Sequence, residues 1–287
     1  MRQISARRII AAVVVAIGIC AGLSAQNQPL PNSANSVKFA VLGDSGTGES
    51  GQFEVAAQMA KVRARFPFEM VLMLGDNLYG SQGPKDLSRK FEEPYKALLS
   101  AGVQFFATLG NHDNQASRFY KPFNMGGQRY YTYAKKNVRF VVLDSDELDA
   151  KQLEWVEAAL KGSVDDWKIC YFHHPLYSDG ATHGSSVDLR VILEPIFTKY
   201  GVNVVFSGHD HVYERLKPQK GIYYFVSGAG GQLRRGDVRR SAMTAAAFDQ
   251  DQSFMMVEVD GSDMFFQAIS RIGSTVDSGV IRKEPRP

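Results

Sequence analysis

Apolar residues along the chain fall into short runs bounded by glycine, proline and polar clusters, which is the pattern of strands broken by turns. Runs at 37–42, 69–74, 103–109, 130–134 and 138–143, followed by 168–172, 202–206, 222–226, 254–259 and 264–269, predict strands. Between several of them the apolar positions recur with helical period, at 53–65, 87–99, 150–160 and 187–200. Strand and helix alternate early, and strands dominate late. Central strands that are apolar on both faces need cover on both sides, so this order predicts a mixed sheet system with helices outside. Glycine, charge and the lack of apolar period mark 78–85 and 230–240 as exposed loops.

The first 25 residues depart from that pattern. Arg2, Arg7 and Arg8 precede an uncharged apolar run over 9–23 that ends at Ser24 and Ala25. This is the form of a signal peptide, and 15 apolar residues are short of the roughly 20 a membrane span needs. Residues 26–36 then read as a polar linker and 37–287 as one catalytic domain. The expected protein is exported, periplasmic or secreted, with no stable membrane insertion after cleavage. Losing three arginines from 33 basic residues leaves 30 against 30 acidic ones. That balance excludes an overall basic field for nucleic acid, and Arg234, Arg235, Arg239 and Arg240 form a local cluster read first as a solvated face, with a substrate-facing loop as the alternative. Cys20 leaves with the signal, so Cys170 has no partner within the chain and the core must hold by burial and metal ligation.

Metal-competent side chains cluster just after the strands. Gly43-Asp44 follows the first; Gly75-Asp76-Asn77-Leu78-Tyr79, Gly110-Asn111-His112-Asp113, His173-His174-Pro175 and Gly208-His209-Asp210-His211 follow four others. Ligands in open sheets gather at the carboxyl ends of strands, so these five loops can converge on one crevice. All six histidines lie in these loops or at His183, in the polar stretch 178–186. Taken singly each motif has a bland reading: a Gly-Asp is more often a turn, and a lone histidine a satisfied core residue. Jointly they specify a site, because neutral imidazole, carboxylate, amide oxygen and phenolate suit iron, zinc or manganese. An extended His209-Asp210-His211 would aim both rings one way and Asp210 the other. His174, extended before Pro175, is expected to point away from His173, leaving one of the pair as a ligand. Tyr79 shares a face with Asp76 if that segment makes a helical turn.

With these residues in this order, the chain resembles the purple acid phosphatases of the calcineurin-like metallophosphoesterase superfamily, closest to the small, tartrate-resistant type. The resemblance spans 38–228. Where most of the superfamily has Asp-x-His in the first block, this chain has Gly46, and it carries Tyr79 in the second; both changes mark the purple subfamily. The resemblance implies an α/β four-layer αββα sandwich of two mixed sheets flanked by helices. It implies a binuclear centre, with Fe3+ held by Asp44, Tyr79, His211 and a bridging Asp76, and Fe2+, Zn2+ or Mn2+ held by Asp76, Asn111, His173 and His209. His112 and His183 become the candidates to stabilise developing charge and protonate the leaving group, with Asp113 expected to orient His112. The implied activity is hydrolysis of small-molecule or peptide phosphate monoesters by a metal-bridging hydroxide, without a phosphoenzyme. Its rivals are a phosphodiesterase or nucleotidase of the same fold, and a non-catalytic phosphate- or metal-binding protein of the envelope.

Overall fold

A computed structural model describes residues 28–283; the expected signal peptide at 1–25 lies outside them. The strands are β1 (Val37–Leu42), β2 (Met70–Leu74), β3 (Gln104–Thr108), β4 (Tyr131–Lys135), β5 (Val138–Val142), β6 (Trp167–Tyr171) and β7 (Val204–Ser207). The remainder are β8 (Tyr213–Leu216), β9 (Tyr223–Ser227), β10 (Thr244–Phe248), β11 (Ser253–Asp260), β12 (Asp263–Ser270) and β13 (Thr275–Arg282). The α-helices are α1 (Ser50–Arg63), α2 (Pro84–Leu87), α3 (Lys96–Ser100), α4 (Ala150–Lys161) and α5 (Val187–Lys199). One sheet runs β13-β12-β11-β1-β2-β3 and the other β10-β8-β9-β7-β6-β5-β4. The parallel strands, β1-β2-β3 in one sheet and β5-β6-β7-β9 in the other, form the centres, and antiparallel strands flank them.

Alternation along each central strand explains the layers. In β1, Val37, Phe39 and Val41 face the other sheet and meet Phe140 and Phe206, with the Phe39 and Phe140 rings edge to face at 5.4 Å. Ala40 and Leu42 face outward, onto Val55 and Met59 of α1. The second sheet does the same, burying Val141, Cys170 and Val205 under Val156 of α4 and Phe197 of α5. Helices therefore cover both outer faces, and the expected four-layer sandwich is the observed one.

The expected helix over 87–99 is broken. Pro94 lacks the N–H a helix needs there, so α2 passes into a π turn at Ser88–Glu92 and α3 starts anew at Lys96. Three strands carried too weak an apolar pattern to be expected: β8 holds Glu214 and Arg215, β10 is mostly alanine, and β13 includes Asp277 and Gly279. The stretch read as a linker is tied down from residue 28 onward. The N–H groups of Asn32 and Ser33 donate to the buried Glu258 carboxylate at 2.7 and 2.6 Å, and the Ser36 hydroxyl donates to it at 2.6 Å.

Candidate metal centre

Because the central strands run parallel, the loops after β1, β2, β3, β6, β7 and β9 leave the sheets at one edge. Backbone bonds stitch them together: Asp44 N donates to Gly75 O, Gly208 N to His173 O, and Gly230 N to Gly43 O, each at 3.0 Å. The seven residues expected as ligands come together there, in two corners.

In the first corner the Tyr79 hydroxyl is 3.2 Å from both Asp44 Oδ1 and His211 Nε2. In the second, His173 Nε2 lies 3.0 Å from Asn111 Oδ1 and 3.1 Å from His209 Nδ1. Asp76 stands between the corners, with Oδ1 3.5 Å from His173 Nε2. His112 and His183 sit at the exposed mouth. The His112 ring lies 4.8 Å from the Tyr79 ring, and the His183 ring 4.1 Å from the His209 ring.

The backbone is strained where these side chains are launched. Asp44, Asp76 and His209 take φ of +54°, +51° and +70°, a region that non-glycine residues enter at a cost of about 1–3 kcal/mol each and mostly at functional sites. This corrects the expectation for His209-Asp210-His211. The segment is not extended, so the two rings go to different corners, while Asp210 turns away and accepts from Ser178 Oγ at 2.6 Å and Gly184 N at 3.2 Å. Asp76 and Tyr79 are likewise not joined by a helical turn. Tyr79 N donates to Gly46 O at 2.9 Å, which lays the second loop on the first. A Cβ at position 46 would lie 1.8 Å from Asn77 O, so a histidine there is incompatible with this packing. Gly46 and Tyr79 thus belong together for a steric reason.

Burial and mutual repulsion set the charge states. Asp44 is fully buried, and its carboxyl is pushed well above the usual range by burial and by the facing Asp76. Burial first, and then its neighbouring imidazoles, hold His209 down to about 2 and His173 well below the usual histidine range. Burial and then the Arg234 charge hold His211 down to about 4. All three rings are therefore neutral at physiological pH, the form in which imidazole donates a lone pair to a metal. The tautomer of His173 is set by its surroundings: Nδ1–H donates to Leu74 O at 2.9 Å, leaving the Nε2 lone pair facing Asn111 Oδ1 and Asp76 Oδ1, which are also acceptors.

Three further expectations change. His174 does not point away from His173: the ring centroids are 5.0 Å apart, and His174 lies 4.3 Å from His209. Both residues follow β6, where strand alternation no longer applies, and Ser145 Oγ, 3.0 Å from Nδ1, holds the His174 ring. Asp113 does not orient His112. It accepts instead from Gly110 N, Asn77 N, Asn77 Nδ2 and Leu78 N at 2.8–3.0 Å, bracing the Asp76 loop against the Asn111 loop. The Asp144-Ser145-Asp146 loop after β5 also reaches the site, through Ser145 at His174, and an Asp-Ser-Asp at the end of an apolar strand is the same signal as the other loops carry. Arg234 is not on a solvated face either: it is half-buried beside His211.

The Calcineurin-like phosphoesterase family model matches residues 37–213. Purple acid phosphatase 17 of Arabidopsis thaliana is 28% identical over 243 residues, covering 72% of this chain and 72% of its own. Tartrate-resistant acid phosphatase type 5 of Homo sapiens is 28% identical over 305 residues, covering 88% of this chain and 92% of its own. Among solved structures, purple acid phosphatase PPD1 from yellow lupin seeds has the same fold at a TM-score of 0.74 and 19% identity, over 88% of this chain and 55% of that one. GAP50 of Plasmodium, described as the anchor in the inner membrane complex, shares it at a TM-score of 0.77 and 19% identity, over 88% and 90% of the two chains.

Proposed function

We propose, on the premise that this chain belongs to the calcineurin-like phosphoesterase family and hydrolyses phosphoesters, that it is a binuclear-metal acid phosphatase acting on phosphate monoesters. The observation that carries this reading is the meeting of acceptors at His173 Nε2, where an imidazole lone pair, an amide oxygen and a carboxylate oxygen converge within 3.5 Å. Acceptors brought this close repel one another unless a proton or a cation is shared among them, and neutral imidazole, amide oxygen and carboxylate are a donor set that suits a cation. Carboxylates and imidazoles of the cluster also lie close enough to share one ion, with ligand atoms of Asp44, Asp76 and His173 all within 4.8 Å of one another.

In this reading Asp44, Tyr79, His211 and Asp76 would hold Fe3+, while Asp76, Asn111, His173 and His209 would hold Fe2+, Zn2+ or Mn2+. Bound there, the metals would supply Lewis-acid polarisation of a phosphoryl oxygen and a water acidified for in-line attack on phosphorus without a phosphoenzyme, and a ferric ion would favour a mildly acidic optimum. His112 and His183 reach the substrate from the mouth and between them stabilise the developing charge and protonate the departing oxygen. The loop bearing His183 is held from two sides. Asp210 accepts from Ser178 Oγ and Gly184 N, and Asp237 Oδ1 accepts from Thr182 Oγ1 at 2.6 Å. Among the described residues no helix is long and apolar enough to cross a membrane.

The test is metal analysis and a visible spectrum on purified protein, with rates on an aryl monoester and a bis-aryl diester measured in parallel. Iron with a second metal, a visible band and preference for the monoester are expected. Tyr79→Phe should bleach the band and keep some activity; a colour that persists in that variant defeats the iron–tyrosinate assignment. No hydrolysis by metal-replete protein would favour a non-catalytic role.

A further inference from the structure

The loop after β9 lies along the Asp44–His211 corner. Gln232 N donates to Asp44 O and Arg234 N to His211 O, each at 3.0 Å, in addition to the Gly230–Gly43 bond. These bonds fix the Arg234 backbone beside residues that form the site. Its guanidinium differs from the other partly buried ones that are held by carboxylates. Arg129, Arg139, Arg215 and Arg271 each pair with a carboxylate at 3.3 Å or closer. Arg234 makes no such pair among the described residues, and its Nη1, shielded from solvent, meets no hydrogen-bond acceptor there. A guanidinium is always charged and presents N–H donors in a rigid plane that matches phosphate oxygens. Folded proteins seldom keep a buried donor unpaired, and those that do so at a site use it for something that arrives.

We propose that Arg234 is a substrate-binding residue whose guanidinium holds an oxygen of the phosphoryl group at the Asp44–His211 corner. The inference rests on the phosphatase reading for its substrate class, and on the position of Arg234 alone for the contact.

Calorimetric titration of inorganic phosphate into metal-loaded protein tests it, with metal content measured on each variant. Arg234→Gln should raise the phosphate Kd about 10- to 100-fold, the range expected for loss of a charge-assisted hydrogen bond. Arg234→Lys should restore part of that loss, because lysine keeps the charge without the fork. Arg235→Gln should leave the affinity unchanged. On a monoester, Arg234→Gln should raise KM by a similar factor with kcat within a few-fold, since the contact exists before and during reaction. If Arg234→Gln loses its metals, Arg234→Met, which keeps the stem packed without the charge, carries the same comparison. A phosphate Kd within twofold of the parent at equal metal content overturns the proposal. Phosphate binding needs no turnover, so a protein that loses phosphate with Arg234 yet hydrolyses nothing would sink the enzymatic reading and keep this one.

Discussion

Replacing Asp113 with asparagine separates a brace from a catalytic orienter. The carboxylate collects four N–H donors, three on Oδ2 from Gly110 N, Asn77 N and Asn77 Nδ2, and one on Oδ1 from Leu78 N. An amide can present its oxygen to the first three only by turning its own N–H2 toward Leu78 N. One backbone donor is then left facing a donor, at a cost of about 1–3 kcal/mol. The other bonds lose their charge assistance and about half their strength. Part of this is returned, because burial already pushes the Asp113 carboxyl up to about 7, so the buried charge is itself costly at neutral pH. The net loss expected is about 2–4 kcal/mol, a large share of the roughly 5–15 kcal/mol that holds a domain folded. Urea unfolding of metal-free protein reads the stability, and elemental analysis of reconstituted protein reads the metals, which should bind less completely once the Asp76 and Asn111 loops can part. A variant with parental stability and full metal content but depressed kcat would refute the reasoning and restore Asp113 as the partner of His112.

Gly46→Ala should cost about 1–3 kcal/mol and weaken metal binding, because the new Cβ forces Asn77 O away and separates the first two loops; unchanged unfolding would show that the loops do not pack as described. His112→Ala should keep its metals and lose about 10²- to 10⁴-fold in kcat on a monoester, and a parental rate would remove the residue from the mechanism. Glu214 is buried away from the centre, where it accepts from Asp179 N at 2.9 Å, and burial pushes its carboxyl up to about 7. Its folded pKa exceeds the unfolded value near 4.3, so its contribution to stability is complete below about pH 4 and is lost as pH rises through about 7. Relative to Glu214→Gln, the parent should lose on the order of 1–3 kcal/mol between pH 5 and 7.5, and parallel urea midpoints across that window would contradict the shift.

The order of apolar runs determined the strands of the sheet centres, and the Gly-Asp, Asn-His and His-Asp-His steps after them determined which side chains form the site. Those features are local: a run of alternating burial or a ligand-type residue after a strand can be read from neighbours in the chain. Three strands escaped: β10 and β13 are edges, which need little apolar pattern and take their place from a partner, and β8 buries the polar Glu214. Side-chain direction escaped for a related reason. Left-handed backbone at Asp44, Asp76 and His209 sends His209 and His211 to separate corners, and sequence spacing carries no sign of φ. Asp113 as a brace, His174 beside His209 and Arg234 turned inward were decided by residues distant in sequence, through Asn77, Ser145 and His211. Hydrogen bonds across such separations form only once the two sheets have packed, and so only the tertiary structure could assign them.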